Sequence, residues 1–331
     1  MKETLVQVQG LSRTFDVSKP WLTRLLSAEG RRTLTAVDRV DFNIERGTTY
    51  ALVGESGSGK STIAKMLVGL LKPSSGHVHI DGVDLVMDNA EQIAKTRKRI
   101  QMIFQDPYAS LNPRWRVRDV VGEPIVAFMK LSTVERYRRV DELLEKVGMS
   151  SADGNKFPHE FSGGQRQRIG IARALASEPE FIVCDEPTSA LDVSVQAQVL
   201  NLMRDLQRDL GLTYLFITHD LAVVRYMADH VGVLYLGRLI ESAPRVKLFQ
   251  NPAHPYTQML INAAPRVDGF GRDHDLSDGE IPDPISPPSG CHYHPRCKRR
   301  LEQCNKQVPE VVHNEGRTIS CLLYDTPVSS S

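Results

Sequence analysis

Gly54-Glu55-Ser56-Gly57-Ser58-Gly59-Lys60-Ser61 constrains this chain more than any other stretch. It fits G-x-x-x-x-G-K-[ST], which demands a tight backbone cradle between a strand and a helix. The flanks supply both. Thr48–Val53 is β-prone and apolar, as a buried strand is, and residues 62–71 read as a helix stopping at Lys72-Pro73. Glycines let backbone N–H groups turn inward around phosphates, and the helix N-terminus adds partial positive charge. Phosphate contacts are therefore expected from Gly54 through Thr62. Lys60 is placed to reach β- and γ-phosphates, and the Ser61 hydroxyl to hold Mg²⁺.

The 331 residues suffice for one large or two ordinary domains. Net charge is +1, so the charge balance calls for neither nucleic acid nor anionic lipid. No apolar run approaches the roughly 18 residues of a membrane span, and the start of the chain lacks a signal-peptide apolar core. A cytosolic chain is expected, with its five cysteines free or metal-bound rather than disulfide-bonded.

Leu5–Gln9 and Asp38–Ile44 alternate as half-buried strands do. Between them lies an insertion, about residues 18–33, whose Trp21, Leu22, Leu25 and Leu26 sit near basic residues. It reads as a surface hairpin, with a partner- or membrane-facing segment as the alternative. Gly76–Leu85 reads as a strand turning at Asp81-Gly82, and Lys95–Arg99 as a solvated basic face before a strand Ile100–Phe104. From Asp106 to Glu178 the pattern is helical; Val134, Tyr137, Leu144 and Val147 suggest the buried stripe of one helix. β-type segments return at Phe181–Cys184, Thr213–Thr218 and Val231–Leu236, with a helix Val193–Leu210 between the first two. This is an α/β core with a helical insertion. Ten of the nineteen prolines and four of the five cysteines lie beyond residue 250, so a boundary is expected there.

Phe181–Glu186 is an apolar strand ending in two carboxylates. Beside a phosphate loop, Asp185 is placed to hold Mg²⁺ and Glu186 to take a proton from an attacking water. Ser162-Gly163-Gly164-Gln165 starts a helix, with Ser162 as N-cap and two glycines that permit close approach. At this point the chain resembles the ATP-binding-cassette (ABC) ATPases, whose signature is Ser-Gly-Gly-Gln ahead of the acidic strand. Further marks follow. Gln105 matches the Q-loop, Ser189-Ala190-Leu191-Asp192 the D-loop, His219 the switch histidine, and Phe15 the aromatic that stacks on adenine. Gln105-Asp106-Pro107-Tyr108-Ala109-Ser110-Leu111 and His254-Pro255-Tyr256-Thr257 narrow the resemblance to dipeptide/oligopeptide permease ATPases, nearest the second, "F"-type, subunit.

The resemblance implies a P-loop ABC nucleotide-binding domain over residues 1–250. It comprises a RecA-like core, an antiparallel β subdomain and a helical subdomain near 106–178, followed by a Pro/Cys-rich extension over 251–331. It implies ATP hydrolysis in a head-to-tail dimer, where Ser162, Gly163, Gly164 and Gln165 of one subunit meet the γ-phosphate held by the other. Gln105 then senses Mg²⁺ and the water, His219 contacts the γ-phosphate and Glu186, and Asp192 communicates between sites. The implied partners are two membrane permease subunits, a homologous second ATPase and an extracytoplasmic binding protein, with this chain peripheral on the cytoplasmic face of the inner membrane. Importers of nickel, glutathione or oligosaccharide are alternatives within the subfamily. A soluble ABC ATPase acting on nucleic acid fits less well, because the chain has one cassette, no sustained heptads and near-zero net charge.

Cys291, Cys297, Cys304 and Cys321 follow C-x5-C-x6-C-x16-C in a segment poor in core residues. Chemistry alone leaves metal binding and free thiols about even, since the spacing matches neither common ferredoxin runs nor paired zinc ligands. The family resemblance implies a [4Fe–4S] cluster. Zinc is the alternative, with His292 or His294 as substitute ligands. Cys184 falls in the buried acidic strand and is excluded.

Overall fold

The computed structural model describes residues 3–18, 30, 32–263, 280–314 and 316–324. Trp21, Leu22, Leu25 and Leu26 of the insertion lie outside the described residues.

Long alternating segments open the chain as β1 (Thr4–Asp16) and β2 (Thr33–Glu45). They pair antiparallel, setting Val6 against Ile44 and Val8 against Phe42. All five residues of β3 (Thr49–Val53) are buried, the pattern of a strand covered on both faces. It runs through the glycine loop into α1 (Lys60–Leu67). β4 (Ser75–Ile80) and β5 (Val83–Asp84) turn at Asp81-Gly82 and complete a four-stranded sheet ordered β2-β1-β4-β5.

Next come α2 (Ala90–Lys98), β6 (Ile100–Ile103), and the helical region of α3 (Pro107–Ser110), α4 (Val117–Phe128), α5 (Thr133–Lys146) and α6 (Gly163–Leu175). Ser132 and Glu135 form a capping box that fixes the start of α5. Val140, Leu144 and Val147 of this stretch are buried, but Val134 is 80% exposed. At about 100° per residue Val134 points roughly 120° away from that stripe, so it does not belong to the buried face. Arg99 also departs from expectation. It ends the basic run in a network rather than in open solvent. Its Nε and Nη2 meet Glu180 at 2.8 and 2.7 Å, and Nη2 meets Asp81 at 2.7 Å. Arg46 joins the same two carboxylates and ties the small sheet to the core.

The core continues through β7 (Phe181–Asp185), α7 (Val193–Leu210), β8 (Thr213–Ile217), α8 (Leu221–Met227), β9 (His230–Tyr235), β10 (Arg238–Pro244), α9 (Arg245–Gln250) and α10 (Pro255–Ala263). After it lie β11 (Val311–Asn314) and β12 (Arg317–Ser320). The large sheet is ordered β11-β12-β10-β9-β3-β8-β7-β6, parallel from β9 to β6. The carboxyl ends of β3, β8, β7 and β6 therefore share one edge, where open α/β sheets bind ligands.

The described residues beyond 250 are stitched to this sheet. β12 pairs with β10, and Glu241 of β10 is fully buried. Its carboxylate accepts from the Ala253 and His254 amides at 3.0 and 2.8 Å. Arg317 lies 3.7 Å from the same carboxylate and donates to the Asn251 carbonyl at 2.6 Å. Removing one member of a buried ion pair strands the other, so Arg317→Met is expected to cost about 3 kcal/mol in urea denaturation. A loss under about 1 kcal/mol would mean that the two amides suffice for Glu241.

Candidate nucleotide site

The phosphate loop leaves β3 with backbone only glycine adopts readily. Gly54 has φ 154° and Gly59 φ 105°. A Cβ on Gly54 would sit 2.2 Å from the Leu234 carbonyl oxygen, and one on Gly59 2.3 Å from that of Ala36. Lys60 is buried inside the loop, its Nζ donating to the carbonyls of Gly54 and Glu55, both at 2.8 Å, and to Ser58 Oγ at 3.3 Å. Burial lowers its pKa, while Glu186, Asp185 and Glu55 pull it back up. Ser56 and Gly57 are exposed on the outer turn.

Ser61, at the start of α1, donates to Asp185 Oδ1 at 3.0 Å, so the hydroxyl and carboxylate expected to share Mg²⁺ are adjacent. Burial raises the Asp185 pKa; the Ser61 hydrogen bond opposes this and the Glu186 charge adds to it. A divalent cation relieves that mismatch, so the donor set fits Mg²⁺. Thr62 follows, half-buried, in the first turn.

Glu186 stands just beyond the end of β7, bracketed on both oxygens. Gln105 Nε2 lies 3.1 Å from Oε2, and His219 Nδ1 lies 3.2 Å from Oε1. Its φ is 47°, uncommon for a residue with a side chain, and its amide donates to the Ile217 carbonyl at 2.9 Å. Such a φ on a residue with a side chain is local backbone strain of the kind found at functional sites. Gln105 and His219 extend from β6 and β8, which is why residues 81 and 33 positions away from Glu186 converge on it.

Phe15 pairs with Leu34 near the end of β1. Leu34 and Ala36 line a cavity with Gly57, which puts this strand end beside the loop. The Arg13 guanidinium covers the Phe15 ring at 4.6 Å. Ser162 caps α6, its Oγ accepting from the Gln165 amide and its own amide donating to Gln165 Oε1 at 3.0 Å. Ser162 and Gln165 are exposed, Gly163 is half-buried, and Gly164 is buried against Val195. The first-turn amides of Gly163 and Gly164 thus lie at an open helix N-terminus. The Tyr108 ring lies 3.6 Å from the Arg166 guanidinium, joining the Gln105 segment to this helix. Asp192, exposed, caps α7 without a side-chain bond.

Sequence reading missed two contacts to the loop: the Glu55 amide donates to the Tyr256 hydroxyl at 3.0 Å, and the Glu55 carboxylate meets Arg296.

All five cysteines are free, and Cys184 is fully buried in β7. Burial, and then mutual repulsion, raise the pKa of Cys321, to about 12, and those of Cys291 and Cys297. Cys321 lies within the fields of the other three thiols. The Leu301 amide donates to Cys304 Sγ at 3.3 Å, and nearby backbone N–H groups oppose the rise at Cys291, Cys297 and Cys321. The histidines do not join them. The His294 Nδ1 faces the Cys291 carbonyl at 2.9 Å, and the half-buried His292, its pKa lowered to about 4 by desolvation, faces the Leu236 backbone, Arg238 and Asp38. Among the described residues, no three His, Cys, Asp or Glu side chains are grouped to hold a single metal ion.

A phosphate loop, an acidic strand end flanked by Gln105 and His219, and an exposed Ser-Gly-Gly-Gln helix start define the nucleotide-binding domain of an ABC-type ATPase. The profile described as ABC transporter matches residues 37–189. That described as Oligopeptide/dipeptide transporter, C-terminal region, matches 240–304. The chain is 45% identical over 323 residues to the dipeptide transport ATP-binding protein DppF of Haemophilus influenzae, covering 97% of each. It is 44% identical to the oligopeptide transport ATP-binding protein AppF of Bacillus subtilis, covering 98% of each. A solved dimeric, post-hydrolysis form of the ATP-binding cassette MJ0796, bound to ADP and Pi, superposes with TM-score 0.63 at 29% identity, over 73% of this chain and 99% of that one. The chain belongs to the ATP-binding proteins of the dipeptide/oligopeptide ABC transporter family.

Proposed function

We propose that this chain is the ATPase subunit that powers import of dipeptides or oligopeptides, working as a head-to-tail dimer with a homologous ATPase on two membrane subunits fed by a binding protein. The observation that carries the reading is the bracketing of Glu186 by Gln105 and His219, beside the Ser61–Asp185 pair. Lys60 leaves its loop carbonyls for the β- and γ-phosphates. Ser61 and Asp185, with Gln105 nearby, would hold Mg²⁺, which would supply charge neutralisation for the phosphates. Glu186 orients a water and accepts its proton as the water oxygen bonds to the γ-phosphorus. The bond from that phosphorus to the β-bridging oxygen breaks, leaving ADP and phosphate. His219 steadies Glu186 and reaches the γ-phosphate. The partner's signature helix closes the other side, as Ser162, Gly163 and Gly164 close the partner's. Asp192 lies where the two sites communicate.

Among the described residues no helix is long and apolar enough to cross a membrane; in this reading the spanning part is the two separate membrane subunits. A groove of about 380 Å³, with Met102, Phe104, Leu111 and Phe128 in its lining, adjoins the Gln105 segment and offers them an apolar seat. The chain then lies peripherally on the cytoplasmic face. In proteoliposomes containing the two permeases and the second ATPase, peptide-loaded binding protein is expected to stimulate hydrolysis at least several-fold. Stimulation by DNA or RNA instead, with no effect of peptide, would favour the nucleic-acid reading.

We propose further that Cys291, Cys297, Cys304 and Cys321 hold a [4Fe–4S] cluster. What supports this is the donor set: four free thiols in one short segment, with the Cys291 amide bonded to the Cys304 carbonyl at 2.8 Å and the Leu301 amide donating to Cys304 Sγ at 3.3 Å, the kind of contact that tunes iron–sulfur centres. Anaerobically purified protein is expected to be brown, with broad visible absorption and four irons per chain. Stoichiometric zinc without iron would overturn the assignment.

A further inference from the structure

Glu55 is the second residue of the phosphate loop, between Gly54 and Gly57, whose φ values are 154° and 76°. Glycine neighbours restrain it little, yet each of its polar groups is engaged. Its carboxylate receives Arg296 Nη1 at 2.8 Å and Nη2 at 3.0 Å, a two-pronged fork. Its amide donates to the Tyr256 hydroxyl at 3.0 Å, and its carbonyl accepts from Lys60 Nζ at 2.8 Å. The Arg296 and Glu55 side chains are 7% and 23% exposed, so water screens the pair weakly.

The two partners of Glu55 in this restraint are themselves held firmly. Arg296 closes a single turn, His294–Arg296, whose amide bonds the Tyr293 carbonyl at 3.0 Å. The rings of Tyr235, Tyr256 and Tyr293 pack with centroids 4.7 to 5.3 Å apart. The Tyr256 amide donates to His254 Nδ1 at 3.0 Å, and the His254 amide is anchored on buried Glu241. A rigid path thus runs from β10 through the His-Pro-Tyr-Thr element to the loop.

We infer that Arg296 and Tyr256 are positioning residues for the phosphate loop: they hold Glu55, and through it Lys60 and the loop carbonyls, in the shape that receives the phosphates of ATP. This rests on the nucleotide reading of that loop. Arg296 and Tyr256 touch no reacting atom, and their effect is on the cradle. A tether that merely fastened the extension would, when cut, lower stability and leave nucleotide affinity alone.

The test is a fluorescent-ATP titration of the full chain, paired with thermal melting, on Arg296→Met, Arg296→Lys, Tyr256→Phe, Glu55→Gln and the Glu55→Gln/Arg296→Met double variant. Arg296→Met is expected to weaken ATP binding by about 10- to 100-fold, the scale on which small misplacements act. In the assembled transporter its KM for ATP rises while kcat falls less than about threefold, a split that loss of uniform binding produces. Arg296→Lys restores charge without the fork and recovers part of the affinity. Tyr256→Phe costs about threefold, the scale of one hydrogen bond. The double variant binds as weakly as the single Arg296→Met, because the two groups act as one pair. Wild-type affinity in a folded Arg296→Met protein overturns the inference. If that variant does not fold, wild-type affinity in both Arg296→Lys and Tyr256→Phe overturns it. Lys60→Ala separates the two readings. It should abolish ATP binding, and unchanged binding there would remove the nucleotide site and this inference with it.

Discussion

Glu186→Gln is expected to bind ATP as tightly as the parent and to turn it over about 10²- to 10⁴-fold more slowly, the range that loss of a positioned general base produces. The substitution keeps the volume of the side chain and removes its ability to accept a proton. The backbone at this position, with φ 47°, keeps the hydrogen bond from its N–H to the Ile217 carbonyl whether the side chain is Glu or Gln. The fold and the cradle therefore survive, while the two flanking contacts from Gln105 and His219 lose the carboxylate they orient. Bound ATP should accumulate in a closed dimer, read as nucleotide retained through gel filtration alongside phosphate release in the assembled complex. Turnover within about threefold of the parent would exclude Glu186 as the base and return attention to Asp185, whose carboxylate is instead committed to Ser61.

Features carried by adjacent residues were legible in the sequence. The loop glycines announce themselves because their backbone cannot take a side chain, and buried β3, β7 and β8 because both faces are covered. The turn at Asp81-Gly82 and the capped start at Ser162 are local chemistry. What stayed hidden depends on distant residues meeting. Arg296 and Glu55 are 241 positions apart, and Arg317 and Glu241 join only because β12 pairs with β10. Arg99 looked like one charge in a basic run until Glu180, 81 positions on, arrived beside it. The spacing of Cys291, Cys297, Cys304 and Cys321 likewise says nothing of their distances, which the turns at Cys291–Cys297 and the β12 pairing determine. Residues 251–331 differ in composition from what precedes them, yet β12, Glu241 and Arg296 tie the described part of this segment into the sheet and onto the loop.

Gly163→Asp separates a site complete within one chain from a site completed by a partner. A Cβ at Gly163 would meet only Leu191 Cδ2 at 3.5 Å, an ordinary contact, so the side chain fits. An aspartate in the first turn also favours the helix dipole, and α6 should be as stable as before. The loss is electrostatic and lies outside the chain. The amides of Gly163 and Gly164 offer donors to a γ-phosphate, and a carboxylate among them repels it in surroundings that water has left. ATP affinity of the isolated chain, which depends on Lys60 and Ser61, is expected to stay within about twofold of the parent. Hydrolysis in the assembled dimer should fall by about 10²-fold or more, with nucleotide no longer trapped in the site built on the partner's phosphate loop. In the head-to-tail dimer proposed above, the altered helix start would serve the partner's ATP, whereas this chain's own ATP would be closed by the partner's unaltered signature. Full turnover in the Gly163→Asp complex would mean that each chain finishes its own chemistry, and the head-to-tail arrangement would have to be abandoned.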